Sequence, residues 1–174
     1  MARGARMTPT ARLGLITAAL TFAADQALKL WLLFGYGLAE RGRVEVLPFL
    51  DLVMVWNRGI SYGLFQQDGV LGRVVLLAIS VVACVLITVW LFREATVLAG
   101  LSLGLVLGGA IGNALDRLAY GAVADFVLLH AFGREWYVFN VADAAIVVGV
   151  GLLLYGALWR GDRSDEAKRP ATGE

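Results

Sequence analysis

Cysteine, histidine, proline and charge are all scarce in this chain, and each scarcity removes a class of function. Of 174 residues, one is Cys, one is His and three are Pro. Cys84 stands inside the apolar run Ser80–Leu91, so it forms no intrachain disulfide and reads as a small buried apolar side chain. A single histidine, His130, excludes a His-based zinc protease site, and one Cys with one His excludes most Cys/His zinc sites. Ser/His/Asp catalysis is unattractive too. The serines are Ser61, Ser80, Ser102 and Ser164, and His130 sits in an apolar stretch where packing is its expected role. Charged residues make up 17% and the net charge is +1, which gives no reason to expect a nucleic-acid partner.

What is abundant is apolar sequence. With 59% hydrophobic residues and a mean hydropathy of +0.74, the chain reads as an integral membrane protein. Four stretches are long enough to cross about 30 Å of hydrocarbon: Leu13–Phe34, Gly72–Phe92, Ala95–Leu115 and Val138–Leu158. The Arg93-Glu94 link makes the second and third an antiparallel hairpin. An even number of spans puts both termini on one side. Arg3, Arg6 and Arg12, the link residue Arg93, and Arg160, Arg163, Lys168 and Arg169 gather there. The other side carries Arg41, Arg43, Arg58, Arg73 and Arg134, with Arg117 at the boundary, so the positive-inside rule places both tails in the cytoplasm. The first 24 residues imitate a secretory signal, but the apolar run continues past Asp25, and a retained helix is the better reading.

Two outer segments remain, 35–71 and 117–137. The first holds the β-branched, part-alternating run Val44–Trp56, which predicts a strand or two with Pro48 at an edge or bend. The second carries Val127–Phe132, expected to lie on the membrane surface. The expected fold is therefore membrane all-α. It has four transmembrane helices, a small β-containing periplasmic cap and a short interfacial helix, in one domain over 1–160 followed by a disordered tail, 161–174. Gly100, Gly104, Gly108 and Gly112 form a stripe of small residues along the third span, read as helix packing.

Five polar clusters interrupt the apolar background, and an ionisable group in a span costs about 2.5–3.5 kcal/mol at its centre on insertion scales. Asp25 and Lys29 lie one turn apart on the outer half of the first helix; an intrahelical ion pair and a support beneath a site are both consistent with that spacing. Asn113 and Asp116 share a face at the outer end of the third span, with Arg117 adjacent. Asn140 and Asp143 repeat the relation at the start of the fourth, where Asn140 suits an N-cap. Asp125 lies between these helices. Asp116, Asp125 and Asp143 can all reach one interfacial pocket, and spacing does not choose among them. Two neighbouring carboxylates sharing a proton suffice for hydrolysis, one activating water and one donating; binding of a divalent cation is the alternative use of such a pair. A transporter or channel subunit predicts polar groups through the whole membrane depth, yet the inner halves of the spans are nearly bare. A scaffold does not require Asp125.

Taken in order, Asp25-Gln-Ala-Leu-Lys29, Asn57-Arg-Gly59-Ile-Ser61-Tyr-Gly63, Gly108-Gly-Ala-Ile-Gly112-Asn113-Ala-Leu-Asp116-Arg117, Val123-Ala-Asp125-Phe126 and Phe139-Asn140-Val-Ala142-Asp143 resemble the motifs of the lipoprotein signal peptidases, the bacterial type II signal peptidases. The resemblance spans nearly the whole chain. It implies an inner-membrane aspartyl protease that cuts prolipoproteins before a diacylglyceryl-modified cysteine, using Asp125 and Asp143 as its dyad. It also implies that Asn113, Asp116, Arg117, Asn140 and Ala142 position dyad and substrate, and that Asp25, Lys29, Asn57 and Gly59 support the site. A metal-free mechanism, no cofactor, contact with membrane lipid, inhibition by globomycin-type peptides and an active site near the outer leaflet are implied as well; a monomer would suffice. Tyr62 departs from the Phe or Trp of many members, within a loop thought to shape the cap.

Overall fold

The structure is a computed structural model that describes residues 7–59 and 70–166. Ser61, Tyr62 and Gly63, the arginines at 3 and 6, and residues 167–174 lie outside the described residues. Helix α1 (Pro9–Leu30) begins where Thr8 accepts a hydrogen bond from the Ala11 N–H (3.1 Å) and Pro9 supplies a preset φ; a π-turn, Trp31–Gly35, extends it. A four-residue helix α2 (Leu38–Arg41) leads to the hairpin of β1 (Val44–Leu47) and β2 (Leu50–Asn57). Helices α3 (Val70–Arg93) and α4 (Val97–Tyr120) follow, then β3 (Val123–Ala131), β4 (Arg134–Phe139) and α5 (Val141–Glu166). Pro48 occupies the β1–β2 turn, as its missing N–H requires.

Four helices are long and apolar enough to cross a membrane. More than half of the central part of α4 is buried, against 11% for α3, so α4 is the axis on which α1, α3 and α5 pack. The glycine stripe explains how α1 comes so close. A Cβ at Gly108 would lie 2.5 Å from the Ala18 carbonyl, and one at Gly100 would strike Thr10. A second stripe serves α5: a Cβ at Gly109 would meet the Ala142 carbonyl at 2.5 Å, and Gly149 faces the Ser102 carbonyl. Gly121, at φ +77°, ends α4, and Arg73 from α3 donates to the exposed carbonyls of Arg117 (3.0 Å) and Leu118 (2.6 Å).

The outer segments pair into one antiparallel sheet of order β1-β2-β3-β4. Val55 faces Asp125, and Val127 faces both Leu52 and Phe139. An irregularity between Leu52 and Val55 gives β2 one residue more than β3 beside Asp125, a device that re-aims a side chain. Leu32 and Leu38 pack with Phe126 beneath the sheet, joining it to the end of α1.

The structure departs from the sequence reading in one segment and at several helix ends. Val127–Ala131 is a strand rather than a segment lying along the membrane surface; its unbroken apolar run suits a strand covered on one face and paired on both edges. Among the described residues, the short helix of the outer segments is α2. The third span runs to Tyr120, so Asp116 and Arg117 are helical, and the fourth helix starts at Val141 because Val138 and Phe139 belong to β4. Helix α5 continues to Glu166, eight residues past the expected end of the span at Leu158.

Candidate active site

The site is assembled where the outer ends of α1, α4 and α5 meet strands β2 and β3. Its floor is a buried charge cluster. Lys29, 2% exposed, lies 2.7 Å from Asp25 and 2.8 Å from Asp116, and its Nζ also donates to the Asn113 side-chain oxygen at 3.3 Å. The intrahelical pair read from the spacing is present, and the same lysine reaches across to α4. Gln26, passed over in the sequence, closes the cluster by donating to Asp25 (3.1 Å), Asp116 (3.0 Å) and the Gly112 carbonyl (3.4 Å). Burying such charges is tolerable only when they are paired and hydrogen-bonded, and here every carboxylate oxygen of Asp25 and Asp116 has a partner.

The two carboxylates of the floor have a matching second duty. Asp116 accepts the backbone N–H of Ala124 (3.1 Å), one residue before Asp125. Asp25 accepts the backbone N–H of Ala142 (2.9 Å), one residue before Asp143. Lys29 thus ties together the anchors of the two aspartate-bearing segments.

Above the floor, Asp125 and Asp143 are held by amides. Asp125 accepts from the Asn57 side chain (3.0 Å) and from the Asn140 side chain (2.6 Å). Asp143 accepts from the Asn113 side chain (2.8 Å) and from the Asn140 N–H (3.4 Å). The Asn140 oxygen in turn caps α5 by accepting the Asp143 N–H (2.9 Å), a reciprocal capping box. Capping, the duty its spacing suggested, is half of what Asn140 does. Its amide also reaches the Asn113 oxygen (3.2 Å) and the Ala124 carbonyl (3.3 Å).

This geometry separates the three aspartates that spacing left equivalent. Asp116 is neutralised by a lysine 2.8 Å away, whereas Asp125 and Asp143 receive polar but uncharged hydrogen-bond donors, and the Asp143 charge is felt at Asp125. Burial, and then the Asp143 charge, raise the Asp125 carboxyl from 3.8 to about 7. Asp125 is nearly inaccessible, while Asp143 is half-buried and forms the polar wall of an apolar cavity. Arg117 donates to the Asn113 carbonyl (3.3 Å) and the Gly59 carbonyl (3.4 Å), and Gly59 N–H donates to Asn57 (3.0 Å), so the β2 exit is fastened to α4. Ala142 packs against Gly109 and Gly112, where a larger side chain has no room.

One cluster lay beyond sequence reasoning. Buried Asp51 lies 2.5 Å from Arg43 and 3.1 Å from His130, and Arg43 also bonds Glu135, linking the cap across its strands. His130, expected to pack, is part of this network. Its partner Asp51 lies 79 positions away in sequence, so no local spacing announced it. Among the described residues, no group of three or more His, Cys, Asp or Glu side chains is arranged to hold a metal ion.

Comparison with known proteins agrees with this architecture. A family model described as signal peptidase (SPase) II matches residues 17–159. A lipoprotein signal peptidase of Rhodopseudomonas palustris (strain ATCC BAA-98 / CGA009) is 56% identical over 156 residues, covering 87% of this chain and 94% of that protein. The lipoprotein signal peptidase of Nitrobacter hamburgensis is 55% identical over 158 residues, covering 88% and 96%. A solved bacterial membrane enzyme superposes with a TM-score of 0.76 at 23% identity, covering 91% of this chain and 94% of its own, which shows the same fold. A match over most of its length, with relatives identical at more than half of the aligned positions, means that this chain belongs to the signal peptidase II family of aspartic peptidases.

Proposed function

We propose that the protein is an intramembrane aspartyl endopeptidase that removes signal peptides from prolipoproteins, cutting before a diacylglyceryl-modified cysteine with Asp125 and Asp143 as its dyad. The observation that carries the reading is the Asn140 bridge, which bonds both carboxylates, with the Asp143 charge felt at Asp125. Near neutral pH the pair shares one proton. The ionised member takes a proton from water as that water attacks the scissile carbonyl carbon. The protonated member donates to the carbonyl oxygen, giving a tetrahedral diol; collapse breaks the C–N bond and a proton passes to the leaving amine. The pair titrates as a unit.

Asn113, Asn57 and Asn140 orient the dyad, while Asp116, Asp25 and Lys29 fix the segments that carry it. Arg117 and Gly59 hold the β2 exit against the site. The basic-residue asymmetry supports cytoplasmic termini in the bacterial inner membrane and a dyad near the outer leaflet. There a lipidated cysteine meets the water it needs without leaving the bilayer. Membrane lipid is then a constant neighbour, globomycin-type peptides would compete for the same cleft, and one copy of the chain holds all the groups invoked. Residues 1–160 form the single membrane peptidase domain.

The test is cleavage of a diacylglyceryl-modified prolipoprotein by purified protein in detergent, with and without chelator. Asp125→Asn and Asp143→Asn are each expected to abolish cleavage in folded protein, with the wild type insensitive to chelator. Turnover that survives Asp125→Asn but not Asp116→Asn would overturn the dyad assignment.

A further inference from the structure

An apolar groove runs outward from Asp143 along the seam between β4 and α5. Its inner part, about 250 Å³, is walled by Phe139, Tyr137, Ala144, Val147 and Val148, with Asp143 as its polar group. Its outer part, about 500 Å³, is walled by Phe49, Ala131 and Phe132, with His130 and Arg134 at the margin. Leu129 and Trp136 line both, so the two parts adjoin along one seam.

Three observations say what kind of ligand fits. First, Val147 and Val148 lie on the outer face of a membrane-crossing helix, 64% and 54% exposed, so the track opens sideways to hydrocarbon rather than to water. Second, its walls offer almost nothing to hydrogen-bond along its length, which suits an alkyl chain and leaves a peptide backbone unsatisfied. Third, the track ends at Phe132, which sits fully exposed at φ +51° in the two-residue turn Phe132-Gly133. That turn normally takes Asn or Gly, because a bulky side chain in the left-handed region is strained. Phe132 recovers nothing inside the fold, and its ring is presented wholly to an outside apolar partner.

We infer that this groove is the seat of an acyl chain of the substrate's diacylglyceryl group, with Trp136 as its central wall. The inference rests on the proposed reading of the dyad: a lipidated cysteine whose preceding peptide bond lies at Asp143 has its alkyl chains within reach of the groove mouth. Each methylene withdrawn into the groove contributes about 0.8 kcal/mol, about fourfold in binding.

The experiment has two arms, both with full-length protein in detergent. In the first, Asp143→Asn protein, expected to bind without cleaving, is photolysed with a prolipoprotein peptide whose acyl chains carry terminal diazirines. Cross-links are expected at Trp136, Leu129 or Phe132, and cross-links confined to other surfaces, or signal-peptide side chains found in the groove, overturn the inference. In the second, kcat/KM is compared for dipalmitoyl and dihexanoyl substrates. Trp136→Ala is expected to cut the ratio of the two about tenfold; an unchanged ratio overturns the inference. If Asp143→Asn still cleaves, the functional reading fails instead, and the cross-linking arm reports that separately.

Discussion

Replacing Lys29 by Met keeps most of the side chain's length and apolar stem while deleting the charge. Two carboxylates, each almost wholly buried, would then share the space between α1 and α4 with no cation between them. Removing one partner of a buried ion pair costs about 3–5 kcal/mol, because the remaining charge cannot return to water. Here two charges are left facing each other, so the upper part of that range is expected. The assay is equilibrium unfolding of purified protein by SDS in mixed micelles, followed by far-UV circular dichroism. The companion variant Lys29→Met/Asp25→Asn/Asp116→Asn removes the stranded charges and should recover more than half of the loss. The reasoning fails if the single variant loses less than about 1 kcal/mol, or if the triple variant is no more stable than the single one.

Other perturbations follow from the same geometry. Gly109→Ala drives a methyl into the Ala142 carbonyl, a contact that backbone cannot relieve, and should cost about 1–3 kcal/mol in the same unfolding assay. Asn140→Ala deletes the α5 cap, worth about 1 kcal/mol, and an Asp125 hydrogen bond; its kcat is expected to fall by far more than its folded fraction does. Folded Asp125 keeps its proton to about pH 7, whereas the unfolded chain loses it near 3.8. The folded state therefore binds more protons between those limits, and stability should decline as pH rises from about 4 to about 7, by up to about 4 kcal/mol from this group. Asp125→Asn should lack that part of the slope, which unfolding curves at several pH values will show. In the wild type, cleavage rate should fall as pH rises past about 7, where the dyad loses its shared proton.

The sequence was most readable where partners lie on one helix. Asp25 with Lys29, Asn113 with Asp116 and Asn140 with Asp143 are one turn apart, and each pair does share a face of its helix, the last as a capping box. The four spans were legible from hydropathy alone, and the β-branched run at 44–56 announced its hairpin. What was not legible is what tertiary contact decides. Asp116 and Asp125 look alike until α1 brings Lys29 against one of them. The run Val123–Ala131 carries no period-two alternation, because β3 is paired on both sides and covered by Phe126's neighbours, so it did not read as a strand. Phe132-Gly133 lacks the Asn-Gly signature of a tight hairpin, which hid the β3–β4 turn. Gln26 stood in plain view within the first cluster, but nothing local shows that its amide spans two helices.

The Lys29 cluster also bears on how the chain enters the bilayer during synthesis. Helix α1 carries its own neutralising pair, so it can leave the translocon for lipid as soon as it is made. Helix α4 is different, since Asp116 has only Arg117 beside it, and adjacent helical residues point apart. Its carboxylate finds a cation when α4 docks on α1 along the glycine seam. Pairing with α1 therefore lowers the cost of placing α4 in the membrane, so the contact that builds the floor of the site also favours the span that carries Asp116.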